Sequence, residues 1–153
     1  LFQNIGAASF VGGGRAHYIE GTAGTIGGGV RNSITGSYST IVGGSRSTVT
    51  GSYAAVTGGE YGTCIGDYTT IGGGDYNSAE DDYATCLGGK TNRAKGVGST
   101  LGGGQSGICN GDYAACLGGR EPYVLGDYGS LRGGFKNDVE GDYAAMGGGR
   151  ENW

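Results

Sequence analysis

Asp67, Asp82, Asp112, Asp127 and Asp142 stand fifteen residues apart or at multiples of fifteen. Carboxylates recurring at one place can bridge a hard cation, since calcium takes oxygen ligands. The plainer chemistry is a solvated turn in which each carboxylate accepts its own backbone N–H, and this reading is preferred. The GGxGxD pattern of calcium-binding solenoids is not kept at its own spacing. Tyr38, Tyr53, Tyr68, Tyr83, Tyr113, Tyr128 and Tyr143 follow the same period. Rings brought together by a repeat either stack into a stabilising ladder or form a stripe that binds a partner or a subunit.

The other reactive types lead away from catalysis. His17 is the one histidine, beside Arg15 and Tyr18, and reads as a surface residue. A triad or a histidine-based metal centre needs partners that no motif supplies. Runs such as Ile26-Gly-Gly-Gly29 lack the Lys-Ser/Thr of a phosphate loop. Cys64, Cys86, Cys109 and Cys116 take the places of Val, Ile or Leu and read as small buried hydrophobes. Within one column they lie too far apart for a disulfide; Cys109 and Cys116, on consecutive half-coils, are the pair that could face across a core. The expectation is no catalytic residue, no cofactor and no metal.

What positions these residues is a strict repeat. A lead residue falls at Gly6, Gly21, Gly36, Gly51, Gly66, Asp81, Gly96, Gly111, Gly126 and Gly141, with no insertion. Places below are counted from that residue. The sixth place holds Val11, Ile26, Ile41, Val56, Ile71, Cys86, Leu101, Cys116, Leu131 and Met146. The fourteenth holds Ile19, Ile34, Val49, Cys64, Cys109, Val124 and Val139, with Ala79 and Ala94 between. The fourth is always small, from Ser9 to Ala144. Short apolar segments with period-two neighbours read as strands, here over places three to seven and twelve to fifteen. Asn32, Asn77, Asn92, Asn137 and Asn152 at the twelfth place read as turn residues.

Glycine supplies 39 of 153 residues, against an average near ~7%. One proline excludes collagen, and the strict phase of the apolar places excludes a disordered Gly-rich chain. The fold class is therefore all-β: a narrow parallel β-solenoid of ten 15-residue coils, one repeat domain over 1–153. Coils stack about 4.8 Å apart, giving a rod of roughly 45–50 Å. Each coil buries two real hydrophobes and one small residue. At about 25 cal/mol per Å² this hardly offsets the ordering entropy, so association along the rod is expected. A net charge of −4 without basic clusters argues against nucleic acid. No apolar run reaches transmembrane length, so no membrane insertion by this segment is expected. Starting and ending inside repeats, the chain reads as a fragment of a longer fibrous protein.

Two stretches carry a resemblance: GSYSTIVGGSRSTVT at 36–50 and GDYTTIGGGDYNSAE at 66–80. They resemble the head repeats of YadA-like trimeric autotransporter adhesins, of the ubiquitous surface protein type, and the likeness runs through all ten coils. It implies a left-handed parallel β-roll and a side-by-side homotrimer. It further implies a non-enzymatic head on a bacterial outer membrane, attaching to a host surface protein, matrix protein or glycan. Similar repeats occur in phage and viral fibres, where a receptor-binding or spacer role on a virion is the alternative. Four cysteines depart from the bacterial pattern, and no neck motif or stalk follows within 153 residues. A lesser alternative is ice binding, suggested by Thr25, Thr40, Thr70, Thr85 and Thr100 at the fifth place, although the seventh place is scattered.

Overall fold

A computed structural model describes residues 3, 4 and 6–153. It is a parallel β-solenoid with two ten-stranded sheets and, among the described residues, no helix. One sheet runs from Gln3–Asn4 to Asp138–Val139 and the other from Phe10–Val11 to Ala145–Met146. Every strand pairs in parallel with its equivalent fifteen residues away, as Thr40 with Ala55 and Ile41 with Val56. The strands are two residues long, at places five to six and thirteen to fourteen, shorter than the sequence pattern suggests. A third ladder of single bridges joins residues at the tenth place, such as Ser45 and Glu60.

The reason the strands are so short lies in the backbone between them. Places three and eleven adopt positive φ in every coil, mostly on residues other than glycine, as at Tyr38 (56°) and Arg46 (55°). A left-handed residue turns its N–H the opposite way along the rod. In the coil beginning at Gly36, Thr40, Val42, Ser45, Thr48 and Thr50 donate to carbonyls of the next coil. Tyr38 and Arg46 donate to Thr22 and Val30 of the preceding one. The extended pairs between these reversals are all that can remain as strand.

Inward-facing side chains at the sixth and fourteenth places form one continuous core, with residues such as Ile26, Ile41, Cys64 and Leu101 fully buried. Val11 and Met146, expected in the core, are only partly buried because each belongs to an end coil, covered on one side. Polar columns share the interior. Asn92 at the twelfth place is fully buried and, as expected of a structural residue, bonds neighbouring backbone. Its Nδ2 donates to Gly88 O at 2.8 Å and Gly104 O at 3.0 Å, and its Oδ1 accepts the Gly107 N–H at 2.8 Å. Asn77 repeats the arrangement one coil earlier. His17 heads this column: it is buried, not on the surface as expected, and its Nδ1 accepts the Asn32 N–H at 3.2 Å. A ring at the twelfth place can only point where the asparagines point.

The exposed area is 7050 Å². A compact monomer of 15.2 kDa should expose about 7,100 Å² by size scaling. The thin core therefore does not by itself demand a partner, because hydrogen-bonded polar columns supply burial that an apolar count omits.

Two glycines of one coil show where the backbone is tightest. A methyl added at Gly111 would run into the carbonyl oxygen of Gly126 in the next coil, whereas one added at Gly118 meets nothing within 4 Å. Gly111→Ala should destabilise the rod by about 2 kcal/mol through forced coil separation, while Gly118→Ala should stay within about 0.5 kcal/mol of the parent. Chemical denaturation of the two variants checks this; equal losses would refute the steric account.

Candidate functional site

The tyrosines and aspartates meet on one edge of the rod, at places one to three, where the chain turns into the second sheet. Tyr38, Tyr53, Tyr68 and Tyr83 form one stacked run, with ring centroids 5.1, 4.9 and 5.0 Å apart and planes within 9°. Tyr113, Tyr128 and Tyr143 form a second, at 5.3 and 5.0 Å. All seven rings remain between 48% and 77% exposed. The column is thus a stacked ladder whose rings remain exposed to solvent.

This ladder stands on strained backbone. All seven tyrosines have φ between 53° and 60°, a region costing of order 1 kcal/mol for a residue with a side chain. Stacking returns about 0.5–1.5 kcal/mol per pair. Glycine would avoid the strain and is used once, at Gly98 (φ 64°). A shorter second stack, Tyr61 on Tyr76 at 4.3 Å, occupies the opposite left-handed corner, with the Arg46 guanidinium 5.3 Å from the Tyr61 centroid. Sequence reading passed over this pair, although both residues sit at the eleventh place.

The aspartates do not cap their own turns. Asp67 Oδ1 accepts the Ser52 N–H of the preceding coil at 2.8 Å, Asp82 the Asp67 N–H at 2.8 Å, and Asp112 the Val97 N–H at 2.9 Å. Asp127 and Asp142 continue the series. The interaction is intercoil because the second-place N–H points along the rod, out of reach of its own carboxylate. One oxygen of each carboxylate is committed to the backbone and the side chain stays at the surface. Among the described residues, no group of three or more His, Cys, Asp or Glu is arranged to hold a metal ion.

Other candidates are dispersed. A hollow of about 370 Å³ lies over the open face of the last coil, bordered by Asp138, Met146 and Trp153. Paired hydroxyls occur on the outer face of the first sheet, at Ser33, Thr35, Thr48 and Thr50. The thirteenth and fifteenth places carry that signal, not the fifth and seventh. It ends where Ile65 replaces the next hydroxyl. No helix among the described residues is long and apolar enough to cross a membrane.

Fold and edge together define a parallel β-solenoid repeat protein carrying an exposed aromatic and acidic ladder. Neither the scan against protein-family models nor the search of curated proteins gives a match.

The four cysteines are buried and free, including Cys109 and Cys116. Burial pushes the Cys64, Cys86 and Cys116 thiols up to about 11 and Cys109 to about 12. For Cys109 the neighbouring Cys116 adds to the rise. The folded state therefore holds these protons above the pH at which the unfolded chain releases them, so stability falls as pH rises beyond about 9. Native protein at pH 8 should resist a thiol reagent until unfolded. A variant with all four cysteines replaced by valine should lose less stability between pH 8 and 10.5 than the parent; equal losses would place the cause elsewhere.

Proposed function

We propose that this chain is a non-enzymatic attachment domain: a left-handed β-roll that associates side by side as a homotrimer and presents the head of a bacterial surface adhesin. The observation that carries the reading is the tyrosine ladder, two exposed aromatic runs along one edge built on backbone that glycine would occupy without strain. Aromatic side chains spent on solvent-facing positions suit recognition of a host surface protein, matrix protein or glycan. The rigid rod beneath supplies a binding face fixed before contact, which limits the ordering cost of association.

Support for the trimer comes from the second sheet rather than from total area. Its outer face, places five and seven, carries Thr, Ala, Ser and Gly with a single charge, Arg132. Phe10, Val42, Leu87 and Leu117 stand exposed on it by 55–60%. A flat, nearly uncharged face with spaced apolar side chains fits a seam between copies. The first sheet carries Glu20, Glu80, Arg93, Lys95, Asp138 and Glu140 at its equivalent places and is the poorer candidate.

A second reading, a virus or phage fibre segment, is favoured by one observation. Four free buried thiols suit a chain that folds in a reducing compartment. Both readings assign attachment and differ in what bears the rod.

Sedimentation should give three chains per particle for the parent. Leu87→Glu with Leu117→Glu should give a folded monomer, since both side chains lie outside the core. A folded parent monomer at micromolar concentration would overturn the trimer. Saturable capture of the domain by host cells or immobilised matrix protein tests attachment, and its absence across such a panel would leave a spacer.

A further inference from the structure

The tyrosine edge is chemically lopsided. Places one to three of the ten coils carry Asp67, Asp81, Asp82, Asp112, Asp127 and Asp142 and no lysine or arginine. The remaining eight carboxylates share the rest of the chain with all ten basic residues. The chain's negative charge is therefore concentrated on the edge that bears the seven rings. A field of one sign along an exposed stripe attracts the opposite charge over several ångströms.

The edge is also interrupted once. In the coil beginning at Gly96, Val97 stands where its neighbours have aspartate and Gly98 where they have tyrosine. Tyr83 stacks on Tyr68 on its N-terminal side, and Tyr113 stacks on Tyr128 on its C-terminal side. Each has one ring face left, and the two faces look toward each other across Gly98. Two coil spacings of about 4.8 Å separate the backbones that carry the two rings, the span that one further ring would occupy in an unbroken ladder. The floor is backbone: a Cβ at position 98 would sit 2.8 Å from Tyr113 Cδ1, so that ring leans into the gap over the glycine and must swing back for a flat group to lie between the two faces. Elsewhere on this edge only Tyr38 and Tyr143, at the outer ends of the runs, have an unstacked face, and no second ring stands opposite either.

We propose that this gap receives the guanidinium of an arginine displayed by a partner protein. A guanidinium is planar, weakly hydrated and always charged, stacks on aromatic faces, and pairs with carboxylates. The gap supplies two tyrosine faces, and the coils on either side supply Asp81, Asp82 and Asp112. Asp82 and Asp112 each commit Oδ1 to a backbone N–H, which holds the exposed carboxylate in place and leaves its second oxygen outside that bond. A lysine ammonium fits less well, being strongly hydrated and unable to fill a flat slot. This inference rests on the attachment reading by naming the partner's chemistry, but it is confined to one notch.

The test is a titration of the 153-residue chain, carrying ring-labelled tyrosine, with Nα-acetyl-arginine amide followed by NMR at fixed ionic strength. Saturable shifts are expected at Tyr83 and Tyr113 and not at Tyr53, with Nα-acetyl-lysine amide at least several-fold weaker. Gly98→Tyr, in a backbone conformation seven tyrosines already adopt and with the Tyr113 ring displaced outward to restore the ladder spacing, should abolish them with folding intact. Asp82→Asn with Asp112→Asn should weaken binding several-fold without closing the gap. No saturable shift, equal shifts along all seven rings, or shifts retained in Gly98→Tyr would each overturn the proposal. Surface capture that persists in Gly98→Tyr would sink the slot and leave the attachment reading standing.

Discussion

The backbone hydrogen bond between one coil and the next is the interaction on which everything else in this molecule depends. It sets the period at fifteen, because only an equal count returns each N–H to its equivalent carbonyl. It also sets the glycines. At places one and nine of most coils the next coil approaches so closely that a methyl group would meet a carbonyl oxygen, as Gly111 against Gly126 and Gly119 against Gly134 show; Asp81 is the exception at place one. Side-chain columns then follow as a consequence of translation. Tyrosine falls on tyrosine, asparagine on asparagine, and the chemistry of any one place is read as a row.

The edge that bears the functional argument is built by the same rule. A left-handed residue is needed at the third place so that its N–H can turn back to the preceding coil. That requirement fixes where the side chain emerges, at an outward corner, and leaves its identity open. Tyrosine in seven of ten coils is a choice beyond what the backbone asks. The aspartate before it plays a structural and an electrostatic part together, one oxygen tying coils and the carboxylate charge remaining at the surface. The edge is thus rigid and charged without any loop to order.

The period, the two sheets and the inward columns were legible from residue types alone, since Ile26, Ile41 and Leu101 repeat at a spacing no helix produces. The tyrosine column was legible as a column, and its stacking followed from the coil rise. The burial and the partners of the polar residues were not. Asn92 was legible as a residue that bonds neighbouring backbone, but nothing in its spacing shows that it does so inside the rod, with three hydrogen bonds. His17 looks superficial beside Arg15 and Tyr18 in the sequence, whereas its surroundings are set by Asn32 fifteen residues on. The direction of an N–H, which decides strand length and the partner of each aspartate, depends on φ, and non-glycine residues give no warning of positive values.

The alternating sense of the donors has a mechanical reading. All the intercoil bonds lie along the rod, and each junction contains donors from both of its coils. Tension along the rod would load every bond of a junction together, whereas a sideways force at an end would lift one coil and break its bonds in turn. Such a structure resists being pulled apart lengthwise far better than being peeled. A shaft loaded at its tip, with stress running down its length, meets the first kind of force; shear across an exposed terminal coil meets the second.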